Sequence, residues 1–207
     1  RSEQAIALKE GGADILWIET LSSIEECQAA VQGASVTGLP IVLTLSIETN
    51  GRTMMGITPS DLVALQPDLP VTLAAYGTNC GIGASEVIAA IVNMRQAADL
   101  VGVEPILVAK GNCGIPEWVD GKICYSGTPE LMANYAQMAI DAGARIIGGC
   151  CGTSPKHVAV MRQAIDNHTK GSKPSLEKIE SELGVITSGA RAQMSGDLSI
   201  AGGAAGP

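Results

Sequence analysis

The chain has no phenylalanine, and its aromatic residues are two tryptophans and three tyrosines among 207 residues. An aromatic cage for a cationic ligand, which needs several rings around one charge, would be short of walls. Histidine is as scarce: His157 and His168 lie at the start and end of the last long helical segment and read as surface or capping residues. Positive charge is also in the minority, with 13 lysines and arginines against 21 acids and a net charge of −8. Nucleic acid is therefore excluded as a partner class, because phosphate recognition needs a basic face. No apolar run approaches the roughly 20 residues of a membrane span, and no signal peptide is visible. Membranes are not expected as partners, and the reading is a cytoplasmic protein.

Glycine is plentiful instead, with 25 residues in a chain that is 46% hydrophobic and 16% charged. That describes a compact protein with glycine-rich loops, long enough for one domain with a real core. The six cysteines, in a reducing compartment, read as thiols or metal ligands and not as a disulfide framework.

Strand and helix signals alternate along the chain. A helix-like opening at 3–10 ends at Gly11-Gly12, and continuous apolar runs at 13–19, 40–46, 71–76, 105–109 and 144–149 read as buried strands. Between them Ser23-Ile24-Glu25-Glu26, Thr58-Pro59 and Thr128-Pro129 mark helix starts, as does Ser154-Pro155 for a helix to about 167. Helical spacing of Val87, Ile88, Ile91 and Met94 adds a helix over 85–98. Five such units imply a parallel sheet. A doubly wound open sheet would be complete with five strands, whereas a (β/α)₈ barrel needs eight and about 250 residues. The chain opens inside a helix at Arg1, which favours the last five units of a barrel whose N-terminal units are absent. The expected domain is 1–168. From 169 to 207 the composition turns to Gly, Ser, Ala and Lys, which reads as a flexible tail with one short helix over 176–183.

The most informative run is Gly148-Gly149-Cys150-Cys151-Gly152-Thr153-Ser154-Pro155, where a strand hands over to a helix. Cys80 follows another strand end, two βα units earlier, so all three thiols converge on the same rim of a parallel sheet. Three thiolates with one open position are the pattern of a catalytic zinc. Successive strand residues point to opposite faces, so Cys150 and Cys151 share an ion only where the chain has left strand geometry, which the flanking glycines permit. The residues alone leave open that these are small buried hydrophobes. Cys27 reads as core, Cys124 as incidental, and Cys113 as a conceivable fourth ligand. Glu19 ends the first strand and could be a solvated rim carboxylate. Asn79 and Asn112 lie in strand-end loops, where their amides could bind substrate or hold a turn. Trp17 and Tyr76 read as core.

The run from Gly148 to His157, taken with Thr78-Asn79-Cys80, resembles the homocysteine S-methyltransferase family over roughly 3–167. The resemblance implies a (β/α)₈ barrel in which Cys80, Cys150 and Cys151 bind Zn²⁺. It implies that Glu19 holds the homocysteine amino group; Asn112, by its place in a strand-end loop, is a second substrate-binding candidate. The family's opening Asp-Gly-Gly segment has no counterpart in this chain. The implied reaction is methyl transfer to the homocysteine thiol, giving methionine, with betaine as the expected donor. S-methylmethionine and a cobalamin-linked methyl group are the alternatives, and association with further copies is left open. Two readings of another class stand beside it: a phosphate-binding barrel isomerase or lyase, since glycine-rich loops before helix N-termini also hold phosphate, and an inactive zinc-binding fragment.

Overall fold

A computed structural model describes residues 2–48 and 50–196. Helix α1 (Ser2–Glu10) leads into strand β1 (Leu16–Leu21), α2 (Ile24–Ser35), β2 (Ile41–Leu45) and α3 (Pro59–Leu65), the last extended by a 3₁₀ turn. There follow β3 (Ala75–Cys80), α4 (Ala84–Leu100), β4 (Leu107–Gly111) and a hairpin of β5 (Pro116–Val119) with β6 (Lys122–Tyr125). Then come α5 (Pro129–Ala142), β7 (Ala144–Gly149), α6 (Pro155–Asp166), α7 (Leu176–Leu183) and α8 (Ser188–Ser195). Among the described residues no helix is long and apolar enough to cross a membrane.

The expected helix starts are capped as their sequences imply. Ser23 accepts from the Glu26 amide, Thr58 and Asp61 form a reciprocal capping box, and Thr128 accepts from the Leu131 amide. His157 does the corresponding work on α6, where its Nδ1 accepts from the Ser154 amide at 3.0 Å. Each cap satisfies a backbone donor that the first turn leaves unpaired.

Five strands form one parallel sheet in the order β1-β2-β3-β4-β7. Each of them pairs with the next sheet strand in sequence, so the order never reverses as it does at the switch point of a doubly wound sheet. Right-handed crossovers then place the connecting helices on one face, where α3 packs on α4, α4 on α5 and α5 on α6. The main core fills this layer, with Leu43, Leu62, Ile88, Ile91, Met94, Leu107 and Met132 fully buried. On the opposite face a small second cluster takes Val42, Ala75 and Val108, with Ile146 beside them.

That second face is concave. Lys110 of β4 meets Glu19 of β1 at 2.5 Å, although three strand spacings of about 4.8 Å would separate their backbones in a flat sheet. The Asn79 side chain of β3 likewise reaches Thr20 of β1. Close approach of β3 and β4 requires Gly77, where a Cβ would lie 2.0 Å from the Val108 carbonyl oxygen.

Two expectations are corrected. The third strand lies four residues later than its apolar run suggests, because Gly77–Cys80 pair in register with Val108–Gly111. Backbone pairing with β4 overrides the weak strand propensity of Gly and Asn. Residues 176–195 are not a flexible tail: α7 and α8 pack on α4 and bury Ile179, Leu183, Ile186 and Ala190. The Ser85 hydroxyl donates to the Val185 carbonyl, Asn93 Nδ2 donates to Gln193 Oε1 at 3.3 Å, and Gln193 Nε2 donates to the Gly51 carbonyl at 3.1 Å. The short helix expected over 176–183 is present, with Ser175 as cap and Leu176, Ile179 and Leu183 at helical spacing; the Gly- and Ser-rich average composition hid its packing. The last part of the expected tail, 197–207, lies outside the described residues.

The attachment of α8 includes a buried carboxylate with a pH signature. Glu86 Oε1 accepts the Thr187 amide at 2.5 Å, while Oε2 has no hydrogen-bond partner among the described residues. Burial raises the Glu86 pKa above its ordinary 4.5, against the hydrogen bond from Thr187. A raised folded-state value means that the neutral acid's contribution is complete below 4.5 and is lost as pH rises through the higher value. Glu86→Gln keeps the acceptor for Thr187 and removes the buried charge. Its stability advantage over the parent should therefore grow as pH rises from about 4 to 7, read from urea midpoints at each pH.

Candidate metal centre

The C-terminal ends of β3, β4 and β7 lie side by side, and the three expected thiols meet there. The sulfur atoms of Cys80, Cys150 and Cys151 all lie within 4.8 Å of one another. Local backbone geometry makes this possible in two ways. Cys80 has φ +62°, a left-handed conformation that costs a non-glycine residue about 1–2 kcal/mol and turns its side chain out of strand alternation. Strand β7 stops at Gly149, so Cys150 and Cys151 occupy a turn in which the Thr153 amide donates to the Cys150 carbonyl at 3.2 Å. Gly152 closes that turn at φ +78°, and a Cβ there would fall 2.3 Å from Cγ of Tyr125.

Two buried asparagines brace the thiols. Asn112 Oδ1 accepts the Cys151 amide at 3.0 Å, and its Nδ2 donates to the Gly81 carbonyl at 2.7 Å. It thus ties the β3 and β7 loops together across β4, the turn-holding role that its position allowed. Asn79 is fully buried. Its Oδ1 accepts from the Thr20 amide at 2.9 Å and the Thr44 hydroxyl at 2.7 Å. Its Nδ2 donates to Thr20 Oγ1 at 2.8 Å and approaches Cys150 Sγ at 3.9 Å. Thr20 is itself left-handed at φ +67°, a strain held by this pair of amide contacts.

The electrostatics call for a cation. Burial, followed by the neighbouring Cys150 thiol, pushes Cys80 up to about 11, with a hydrogen bond to Asn112 opposing. A raised value favours the protonated thiol at Cys80, whereas a divalent metal reverses that preference. The donor set fits zinc: tetrahedral thiolates about 2.3 Å from the ion stand about 3.8 Å apart, inside the 4.8 Å that bounds the observed cluster. Among the described residues the group contains three donors and no fourth.

Other expected residues fall elsewhere. Cys113 is buried and turns its sulfur toward the Gly127 carbonyl at 3.3 Å, outside the cluster. Cys27 is core and Cys124 is exposed on β6. His168 Nε2 contacts Asp141 Oδ1 at 2.8 Å, away from the thiols. Tyr76 is core, but Trp17 is 38% exposed, which corrects its reading as a core residue. Trp17 lies on the concave face because it pairs in register with Val42. Glu19 stands on the rim with Lys110 Nζ at 2.5 Å, and that ammonium lies 5.2 Å from the Trp17 ring centroid. A cavity of about 380 Å³ runs along β1, lined by Leu16, Trp17 and Glu19 with Gln4 and Leu8 of α1.

Tyr125 and Lys110 were not anticipated. Tyr125 ends the β5–β6 hairpin and covers the cysteine turn; burial and then the Cys151 thiol raise its phenol above 10. The hairpin was legible in Asp120-Gly121, whose positive φ values of 49° and 76° form the turn that this dipeptide favours. No local signal marks Lys110, since its partner is 91 residues away.

The sequence pattern of homocysteine S-methyltransferases matches residues 2–165. The methionine synthase of Mycobacterium leprae (strain TN) is 27% identical over 186 residues, which cover 86% of this chain and 15% of that protein. The methionine synthase of Mycobacterium tuberculosis (strain ATCC 25618 / H37Rv) is 27% identical over 175 residues, 80% of this chain and 14% of that protein. Among solved structures, the oxidised homocysteine methyltransferase MmuM of Escherichia coli is similar with a TM-score of 0.62 at 27% identity, over 77% of this chain and 48% of that one. Its apo form has a TM-score of 0.60 at 25% identity, over 79% and 57%. The chain thus spans about half the length of MmuM and a much smaller part of the methionine synthases.

Proposed function

Because the chain belongs to the homocysteine S-methyltransferase family, we propose that it methylates the thiol of homocysteine to give methionine, with Zn²⁺ held by Cys80, Cys150 and Cys151. The observation that carries this reading is the cluster of three thiols with no fourth donor among the described residues, which leaves one coordination position for a substrate sulfur. When bound, the ion supplies the positive charge that keeps thiols, including the acceptor's, ionised at neutral pH.

The chain's own residues supply position. Asn79 and Asn112 hold the two cysteine-bearing turns in place, and Glu19 offers a carboxylate to the acceptor's ammonium. In the reaction the acceptor sulfur donates an electron pair to the methyl carbon, and the bond from that carbon to the donor's onium atom breaks with its pair. The donor leaves uncharged at that atom, so no side chain has to deliver a proton to it. Orientation is then the main demand on the protein. On this reading the five parallel strands are consecutive units of a (β/α)₈ barrel, 1–168 is the homocysteine-binding domain, and the concave face is the barrel interior.

Betaine is the donor we expect, with S-methylmethionine and a methyl-corrinoid as the alternatives. The test is to incubate zinc-loaded protein with L-homocysteine and each donor and to measure methionine by mass spectrometry. Methionine formed with betaine supports the reading in full, and methionine formed with another donor corrects the donor alone. A fully loaded protein that yields none with any donor overturns it.

A further inference from the structure

The acceptor carries three polar groups, and the reading above, on which this inference rests, occupies only two of them. That reading assigns the thiol to the cysteines and the ammonium to Glu19, and it assigns no residue to the carboxylate. The concave face holds one unexplained cation. Lys110 extends over that face from the C-terminal end of β4, with its ammonium 2.5 Å from Glu19 Oε2 and 5.2 Å from the Trp17 ring centroid. The side chains of Lys110 and Glu19 remain 23% and 43% exposed. A pair this open contributes little to stability, so stability is a poor reason for its place on the rim.

The neighbours of Lys110 connect it to the thiols. Its register partner on β3 is Asn79, which approaches Cys150 Sγ at 3.9 Å. Its partner on β7 is Gly148, two residues before Cys150, which presents no side chain between the lysine and the cysteine turn. The five parallel strands carry one other cation, Arg145, which lies near the opposite end of β7 beside Arg95 and Gly143.

We propose that Lys110 binds the carboxylate of the α-amino-acid acceptor, so that Glu19 and Lys110 together form a receptor for its zwitterion. In the free protein the two residues neutralise each other. An amino acid replaces that single contact with two charge-assisted ones, ammonium on Glu19 and carboxylate on Lys110. A thiol that lacks either charge leaves one member of the pair unmatched, so the pair selects amino-acid thiols over simple thiols.

The test is calorimetric binding of L-homocysteine and of its decarboxylated analogue, which keeps only thiol and amine, to the zinc-loaded chain. The parent protein should prefer homocysteine by about tenfold or more. Lys110→Met should weaken homocysteine by about that factor, leave the decarboxylated analogue within twofold, and so abolish the preference. Lys110→Arg should restore part of it. Glu19→Gln should weaken both ligands. Zinc content and unfolding midpoint, followed in parallel, should be unchanged in Lys110→Met. If that variant binds homocysteine as tightly as the parent, or loses both ligands equally, Lys110 is not the carboxylate site while the methyl-acceptor reading stands. If the zinc-loaded parent binds neither ligand, the acceptor reading fails and this inference falls with it.

Discussion

Cys80→Ser and Cys150→Ser should each reduce bound zinc from about one ion per chain to less than a tenth of that, and methyl transfer should fall by at least about a thousandfold. A serine hydroxyl stays protonated where a thiol ionises, so each change removes both a ligand and a negative charge. It also leaves two thiols, and a pair of donors does not hold zinc against solvent as three do. Cys113→Ser is the internal control: its sulfur faces the Gly127 carbonyl outside the cluster, and zinc content should stay near that of the parent. Elemental analysis of reduced, folded protein reads all three. Full zinc in Cys80→Ser would place the ion elsewhere and separate the sulfur cluster from the activity.

Asn79→Ala should have the next largest effect, and on two observables at once. The side chain is fully buried, and its removal leaves the Thr20 amide and the Thr44 hydroxyl without their acceptor. Each stranded group costs about 1–3 kcal/mol, so a loss of about 3 kcal/mol is expected, with a fall in melting temperature of roughly 10 °C. Thr20 also loses the contacts that hold its left-handed backbone, and Cys150 loses its neighbouring amide donor. Zinc affinity should therefore drop by about 10- to 100-fold, the usual scale for residues that orient metal ligands. Thermal scans of zinc-free protein isolate the structural part, and competition with a chelator reads the metal part. A variant with the parent's melting temperature and zinc affinity would show that the thiols need no brace from β3.

The helices were legible because their signals are short-range. Thr128-Pro129 opens α5, Ser23 opens α2, and α7 is bounded by Ser175 and Gly184, all within a turn of the helix ends. The strand boundaries were less so. β3 and β4 slide toward their C-termini relative to their apolar runs, because pairing between Gly77 and Val108 is worth more than side-chain propensity. The packing of 176–195 escaped notice because average composition masks three apolar residues on one helical stripe. The β5–β6 hairpin escaped although its Asp-Gly turn stood in plain view, and Tyr125 was missed with it.

At the site the same division holds. That three cysteines end strands on one rim follows from the alternation of strand and helix, a property of sequence order alone. So does the placement of Glu19 at the end of β1. The sequence by itself therefore determined the parallel α/β class, the helix caps and the identity of the metal-ligating candidates. Only the tertiary structure decided that two adjacent cysteines both face a third. It likewise decided that Asn112 braces the turns, and that Lys110 reaches Glu19 across three strands. These depend on left-handed backbone at Cys80, on strand register and on the curl of the sheet. Such features arise from hydrogen bonds between residues tens of positions apart, whereas propensity and periodicity report only the few residues on either side.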